Sequence, residues 1–172
     1  MAQLNLPLSQ DEPETGARSR VHLNDLVKDS IAFTEDYASA TRDERGARVR
    51  FRTELGEGLP PVLASPSELR EVFVNLLRNA VDAVESEGEV VVRTRAEGPH
   101  GLVEVSDTGA GMTPEVQGKL FRPLFTTKGE RGMGLGLATS YAIVRRHGGD
   151  IQVKSAPGAG TTFTVRLPVA AV

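Results

Sequence analysis

The chain has 172 residues with 20 Lys and Arg, 23 Asp and Glu and a net charge of -3, a length typical of one domain. Hydrophobic residues make up 39% and cysteine is absent, which excludes wholesale disorder, a disulfide scaffold, a thiolate zinc site and a thiol nucleophile. The acidic balance gives no basic field for nucleic acid. No apolar run reaches the length of a membrane span or secretory signal, so we expect a cytoplasmic, single-domain protein.

The N-terminal segment differs in composition from the remainder. Residues 1–20 are polar and lack a sustained period, which predicts a disordered arm or linker remnant, and residues 21–170 are the expected domain. Helical and strand-like patterns alternate from Val21 onwards, which favours an α/β sandwich. Asn24 is the predicted N-cap of a helix that runs to about Glu44. Its predicted buried face consists of Leu26, Val27, Ser30, Ile31 and Thr34.

Alternating or apolar segments predict five strands, namely 48–52, 89–95, 102–105, 151–154 and 161–167, while 62–64 is a short apolar segment that precedes a helix. Between them, residues 106–136 contain many Gly and Thr and little periodicity, which indicates a long functional loop with one helical turn after Pro114. A helix over 135–147 is expected to stop at Gly148 and Gly149.

The most clearly marked helix covers residues 66–86. Ser65 is its predicted N-cap, Pro66 occupies the first helical position, Glu68 completes a capping box and Gly88 ends the helix. Apolar residues at helical spacing predict a core-facing stripe of Leu69, Val72, Phe73, Leu76, Leu77, Ala80 and Val84. The opposite side carries Glu71, Asn75, Arg78, Asn79 and Asp82. From the residues alone, this side is either a solvated polar face or a pocket in which Asn amide oxygens could ligate Mg²⁺.

Two further clusters could contact a ligand. The segment DTGAGM (107–112) follows a strand, so Asp107 would lie at the floor of a cleft, where the glycines allow the backbone to approach a ligand closely. A plain Asp-Thr-Gly turn is the alternative, and such turns are common. The segment GMGLGL (132–137) opens a helix, where alternating glycines expose N–H groups to an anion, or form a flexible hinge. Neither segment fits a P-loop or a Rossmann fingerprint.

Taken together, these segments resemble the ATP-binding catalytic domain of sensor histidine kinases, in the wider family that includes DNA gyrase and the mismatch-repair ATPases. The five matching boxes, which lie in the family's order within residues 21–168, are NLLRNAVDA (75–83), DTGAGM (107–112), FRPLFTTK (121–128), GMGLGL (132–137) and GAGTTFTV (158–165). The LFTTK form resembles the nitrogen-regulation type of kinase in particular. The implied fold is a two-layer α/β sandwich, in which three helices cover one face of a mixed, mostly antiparallel sheet of about five strands.

The resemblance implies that ATP and Mg²⁺ bind between the 66–86 helix and a lid. Asp107 would accept a hydrogen bond from the adenine amino group, Asn79 would ligate Mg²⁺, and Asn75 would contact phosphate or its hydration shell. Gly109 and Gly111 would let the loop pass close to the base. The full implied binding set is Asn75, Asn79, Asp82, Asp107, Gly109, Gly111, Met112, Phe121, Thr126, Thr127, Lys128, Arg131, Gly132, Met133, Gly134, Leu135, Gly136, Leu137 and Thr161.

By the same resemblance, residues 113–133 form the lid over the triphosphate, and Phe121 and Phe125 anchor it by packing on the core. Lys128 and Arg131 are the implied cationic partners of the γ-phosphate. Backbone donors to the phosphates would come from Gly132, Gly134 and Gly136. The implied catalytic residues are Asn75, Asn79 and Lys128.

Asn75 separates this chain from the clamp ATPases, in which a Glu at that place activates water, because an amide cannot accept a proton. We therefore expect poor hydrolysis and in-line phosphoryl transfer to a histidine on a dimerisation domain, and through it to a response regulator. None of His22, His100 and His147 fits an acceptor, and no helical hairpin precedes Val21. The chain is then expected to be a monomeric catalytic domain cut from a longer kinase, or a separate subunit.

Two other functions stay open at this stage. The first is a nucleotide-binding regulator without catalysis, such as a degenerate kinase or an anti-sigma-like protein, which intact boxes count against. The second is a gyrase-like ATP clamp, which Asn75 counts against and which robust hydrolysis by the isolated chain would favour. Acid-labile phosphate on a supplied histidine-bearing domain would distinguish a kinase from a regulator.

Overall fold

The computed structural model describes residues 17–121 and 136–170, whose main sheet has five strands in the order β2-β4-β5-β7-β6. β2 runs parallel to β4 and the other neighbours are antiparallel, while β1 and β3 form a separate antiparallel pair. The elements are β1 (Ser19–Val21), α1 (Leu23–Arg45), β2 (Arg48–Leu55), β3 (Val62–Ala64), α2 (Pro66–Ala83), β4 (Glu87–Glu97), β5 (His100–Asp107), α3 (Pro114–Gln117), α4 (Gly136–Arg146), β6 (Asp150–Ser155) and β7 (Thr161–Pro168).

The core lies between the sheet and a layer formed by α1, α2 and α4. α2 is the central helix, since it packs against both other helices and against β5. The apolar stripe predicted on α2 is buried along its whole length, from Leu69 to Val84, and it meets alternate residues of the strands such as Val103 and Phe163. The predicted two-layer sandwich with three helices on one face of a mixed sheet is therefore confirmed.

The start of α1 differs from the prediction. The N-cap is His22, which makes no side-chain cap, and Asn24 lies inside the first turn. The Asn24 amide instead donates to the carbonyl of Gly56 at 2.7 Å and accepts from the hydroxyl of Thr94 at 2.6 Å. Asn24 was a good N-cap by residue type, but a tertiary hydrogen-bond partner on β4 outweighs that local preference. The predicted buried face of α1 is confirmed.

The start of α2 confirms the predicted N-cap and half of the predicted capping box. The Ser65 hydroxyl accepts from the backbone N–H of Glu68 at 3.4 Å, and Pro66 occupies the first turn. The reciprocal hydrogen bond is missing because the backbone N–H of Ser65 donates to Nε2 of His147 at 3.1 Å. The Glu68 carboxylate lies 3.3 Å from the Arg146 guanidinium.

His147 is buried at the C-terminal end of α4, where it joins two helices. Its Nδ1 lies 2.8 Å from the carbonyl of Ile143, so the ring donates through Nδ1 and accepts the Ser65 N–H through Nε2. That arrangement fits a neutral imidazole. His147 therefore connects the C-terminal end of α4 with the start of α2.

The element boundaries shift at several places. α2 ends at Ala83, and Gly88 belongs to β4 instead of terminating the helix. The single helical turn predicted after Pro114 is confirmed as α3. α4 ends as predicted before Gly148, whose φ of 76° is a left-handed conformation that favours glycine.

The face of the sheet opposite the helices carries ion pairs between neighbouring strands. Arg52 lies 2.6 Å from Glu89, and Arg95 lies 2.5 Å from Glu104. The guanidinium groups of Arg93 and Arg52 lower the pKa of the Glu54 carboxyl. These charges therefore satisfy one another locally, as expected for a solvated sheet face.

Candidate nucleotide site

Asp107 ends β5 and forms the floor of the candidate site. Its side chain is buried, with 7% of the residue exposed, and its Oδ1 accepts the backbone N–H of Gly109 at 2.8 Å. Burial raises the pKa of Asp107 to about 6, although backbone hydrogen bonds from Gly109 and Thr161 act in the opposite direction. Asp107 is thus a desolvated acceptor that carries its charge at neutral pH.

Glycines let the loop after Asp107 lie directly against neighbouring backbone. A Cβ at Gly109 would overlap the carbonyl group of Ala83, and one at Gly111, whose φ is +72°, would overlap the carbonyl oxygen of Ala156. The backbone N–H of Ala110 also donates to the carbonyl of Ala83 at 3.3 Å. The loop is therefore held between the end of α2 and the β6–β7 turn, while passage of its glycines close to a base stays a prediction.

Two polar side chains that the sequence analysis missed hold this loop in place. The Ser155 hydroxyl accepts from the backbone N–H of Met112 and donates to the carbonyl of Gly160, both at 2.9 Å. Gln117 on α3 donates to the carbonyls of Met112 at 3.0 Å and Ser155 at 2.9 Å. Thr161, which was predicted to bind nucleotide, is buried and its hydroxyl lies 2.8 Å from that of Ser155. No periodicity or motif singled out Ser155 or Gln117.

The polar face of α2 extends from the loop towards the start of α4. Asn75, Asn79 and Asp82 are half-buried along this face, and the nine residues from 75 to 83 span about 12 Å of helix axis. The Asn75 amide nitrogen donates to the carbonyl of Gly136 at 3.0 Å and to the Ser140 hydroxyl at 3.3 Å. The structure therefore brings Asn75 and Gly136 together as neighbours, and α2 connects them with the loop at Asp107.

Asp82, another residue of the predicted set, contacts α1. Its carboxylate accepts from the Tyr37 hydroxyl at 2.7 Å. Desolvation and this hydrogen bond to Asp82 raise the pKa of Tyr37 to about 12. The guanidinium of Arg78 lies 5.1 Å from the centre of the same ring. Asp82 thus connects two helices, and this contact was not predicted.

The segment after α3 packs on the core as predicted for Phe121. The Phe121 ring stacks on Tyr141 of α4 with centroids 5.0 Å apart and planes at 29°. Leu120 is buried, and Leu137 is a half-buried residue packed against the core. Tyr141 was not among the predicted residues. The predicted positions Thr126, Thr127, Lys128, Arg131, Gly132, Met133, Gly134 and Leu135, together with the predicted anchor Phe125, lie outside the described residues.

The donor set along α2 fits magnesium bound together with a polyphosphate. Within residues 17–121 and 136–170 no three His, Cys, Asp or Glu side chains form a metal cluster. Mg²⁺ takes oxygen ligands, keeps several waters and commonly shares its shell with phosphates, so one amide oxygen such as that of Asn79 is a sufficient protein contribution. None of the helices within these two described ranges is apolar and long enough to span a bilayer.

Comparison with known proteins assigns the family. The family described as "Histidine kinase-, DNA gyrase B-, and HSP90-like ATPase" matches residues 64–171, which include α2, the Asp107 loop and α4. The chain belongs to this family. Within the family, its relatives identify it as a catalytic and ATP-binding domain of the sensor histidine kinase type.

Relatives of the chain include sporulation kinase E of Bacillus subtilis, 34% identical over 159 residues, which are 92% of this chain and 21% of that protein. The signal transduction histidine-protein kinase AtoS of Escherichia coli is 36% identical over 94% of this chain and 26% of its own length. The sensor histidine kinase ZraS of Klebsiella oxytoca is 39% identical over 87% of this chain and 31% of its own length. The chain therefore spans about a fifth to a third of these relatives.

Solved structures agree on the fold. The catalytic domain of histidine kinase ThkA superposes with a TM-score of 0.74 at 26% identity, covering 88% of this chain and 97% of that domain. Full-length ShkA, solved in complex with AMPPNP, gives a TM-score of 0.75 at 26% identity over 91% of this chain and 32% of that chain. The nitrogen-regulation subtype stays a prediction.

Proposed function

We propose that the chain binds ATP with Mg²⁺ and transfers the γ-phosphoryl group to a histidine on a dimerisation domain, from which a response regulator receives it. The observation that carries the proposal is the buried, raised-pKa carboxylate of Asp107, joined by α2 to the polar side chains Asn75 and Asn79. An acceptor for a base thus lies at one end of a polar helix face, with ligands for a phosphate-bound cation farther along it.

The base end of the proposed site depends on Asp107. An ionised carboxylate accepts hydrogen bonds and donates none, so it matches the amino group of adenine and mismatches the carbonyl that guanine carries at the corresponding place. The hydrogen bonds from Gly109 and Thr161 fix the orientation of the carboxylate before a ligand arrives. Selectivity for adenine then arises because the guanine carbonyl would face a carboxylate oxygen, so that two acceptors would meet with no proton between them.

The phosphate end of the proposed site depends on Asn79 and on the start of α4. Asn79 would hold Mg²⁺ through its amide oxygen, and Mg²⁺ when bound supplies charge neutralisation for the phosphates. Backbone N–H groups at the start of α4, which begins at Gly136, are suited to phosphate oxygens because the first turn of a helix leaves its N–H groups without intrahelical partners.

The transfer step needs no general base from this chain. A nitrogen of the acceptor imidazole attacks the γ-phosphorus, the bond from that phosphorus to the β–γ bridging oxygen breaks, and the electron pair leaves on ADP. Because the amide of Asn75 cannot accept a proton, water is activated poorly and we expect little hydrolysis. The chain's contribution is then positioning and electrostatic stabilisation. ShkA in complex with AMPPNP shows that a relative of similar fold binds an ATP analogue.

The proposal is tested with γ-labelled ATP, Mg²⁺ and a purified histidine-bearing dimerisation domain from a kinase of this family. The expected result is acid-labile, alkali-stable label on the added domain, with little free phosphate. Asn79→Ala should abolish the transfer that depends on Mg²⁺. Asn24→Ala is the matched control, because Asn24 lies in the first turn of α1 and is not part of the proposed site. Persistent transfer by Asn79→Ala would refute the ligand assignment.

ATP binding without label on any acceptor would favour the non-catalytic regulator, and rapid phosphate release would favour a clamp ATPase.

A further inference from the structure

The side-chain amide of Asn75 is held in one orientation by α4. Its nitrogen lies 3.0 Å from the carbonyl oxygen of Gly136 and 3.3 Å from the hydroxyl of Ser140. A carbonyl oxygen can only accept, so the atom of the amide that faces Gly136 must be the nitrogen. The orientation therefore follows from the chemistry of its neighbours.

Ser140 is the unusual member of this contact. It is fully buried on α4, at 0% exposure, in a stretch that otherwise buries Ile143 and Val144. A buried hydroxyl needs a hydrogen-bond partner, and its partner here is the amide nitrogen of Asn75 on a different helix. The amide nitrogen of Asn75 therefore has two acceptors on α4, the carbonyl of Gly136 and the hydroxyl of Ser140.

Because its nitrogen is directed at two acceptors on α4, Asn75 presents its amide oxygen to the remaining surroundings. Among the described residues no group donates a hydrogen bond to Asn75 Oδ1. This oxygen is also not fully buried, since it is absent from the buried polar atoms that lack a partner. Asn75 and Asn79 are separated by one helical turn and so share a face of α2. The oxygen of Asn75 is thus available to a ligand on the face where Asn79 lies.

We infer that Ser140 is a positioning residue, which fixes the Asn75 amide so that its oxygen accepts from a water in the shell of the ATP-bound Mg²⁺. This inference rests on the proposed function. It assigns Asn75 an acceptor role towards the hydrated cation and excludes a donor role towards a phosphate oxygen, because the amide nitrogen is directed at two acceptors on α4. Ser140 itself touches neither nucleotide nor metal.

The binding test measures ATP affinity by calorimetry with Mg²⁺ and with EDTA. Ser140→Ala removes one of the two acceptors that hold the amide and leaves only Gly136. It should therefore lower the gain in affinity that Mg²⁺ provides by about 3- to 10-fold, the scale of one hydrogen bond, and leave the affinity in EDTA within about twofold. Ser30→Ala is the matched control, because Ser30 is also a fully buried helical serine, on α1, and donates to its own helix at Leu26. An unchanged Mg²⁺ gain in Ser140→Ala, or an equal loss with and without Mg²⁺, would overturn the inference.

A second measurement needs no nucleotide, so its outcome is independent of the proposed function. Nuclear magnetic resonance of the ¹⁵N-labelled free chain should show the Asn75 side-chain amide protons protected from exchange with water. Protection should fall in Ser140→Ala and persist in Ser30→Ala. Exchange at the rate of an exposed asparagine in the unaltered chain would overturn the inference, even if ATP binds as proposed.

Discussion

Replacement of Asp107 by Asn should remove a pH-dependent destabilisation of the free chain. The buried carboxyl has a pKa of about 6 in the folded chain, whereas an unfolded chain releases the same proton near its ordinary value of 3.8. Between these two pH values the folded state binds more protons than the unfolded state, so this group lowers the free energy of unfolding as the pH rises. An asparagine does not titrate and abolishes the effect.

The magnitude follows from the two values. The difference between 3.8 and about 6 corresponds to about 3 kcal/mol once both states are ionised. About 2 kcal/mol of this develops between pH 4.5 and pH 7.5, since part of the loss has already occurred at the lower pH. The free energy of unfolding of Asp107→Asn minus that of the unaltered chain should therefore rise by about 2 kcal/mol over this range, whatever constant offset the new amide introduces.

Urea unfolding of both proteins across this pH range measures the difference, and other titrating groups cancel in the subtraction. Asp36→Asn, which alters an exposed carboxylate on α1, is the matched control and should follow the unaltered chain. A difference between Asp107→Asn and the unaltered chain that stays flat from pH 4.5 to 7.5 would refute the assignment of a raised pKa to Asp107. A difference that falls with pH would show that hydrogen bonds outweigh burial at this carboxyl.

Three further sets of variants test other contacts by urea unfolding at neutral pH. Ser65→Ala should cost about 0.5–2 kcal/mol because it removes the N-cap of α2, while Ser39→Ala on the exposed side of α1 should be neutral; equal effects would discount the cap. Gly158→Ala should lower the free energy of unfolding by about 1–2 kcal/mol, because its φ of +76° disfavours a side chain. Gly111→Ala, at +72°, also creates an overlap with Ala156 and should cost about 1–3 kcal/mol more. Equal losses would mean that the loop can move away. Tyr37→Phe should cost about 1 kcal/mol by removing the hydrogen bond to Asp82, and an unchanged stability would show that water replaces it.

The parts of the fold that were predictable from sequence are those decided by local patterns. The period of the apolar residues in α2 determines which side faces the sheet, and the capping serine with the following proline determines where the helix begins. The five boxes and their order gave the family and the fold.

The parts that sequence could not provide depend on contacts between distant residues. Asn24 has the residue type of an N-cap, but its partners Gly56 and Thr94 lie 32 and 70 positions away. The hydrogen bond from Ser65 to His147 spans 82 positions and displaces the reciprocal half of the capping box. No single-sequence pattern encodes such pairs.

The site shows the same division. The motif predicted that Asn75 has a role in binding, but it did not predict that the amide nitrogen contacts Gly136 and Ser140, 61 and 65 positions away. Ser155 and Gln117, which hold the Asp107 loop, are ordinary polar residues in a strand end and a short helix. They matter because two loops approach each other closely, and the residues next to them in the sequence do not indicate this.

The most direct test of the central claim is a calorimetric titration of ATP into the chain with and without Mg²⁺, repeated with Asp107→Asn. ATP should bind saturably in the micromolar range, on the order of -8 kcal/mol, and more tightly when Mg²⁺ is present. Asp107→Asn should weaken that binding by about 1–3 kcal/mol because the adenine amino group loses its acceptor. Absence of binding by the unaltered chain, or equal affinity in Asp107→Asn, would contradict the account.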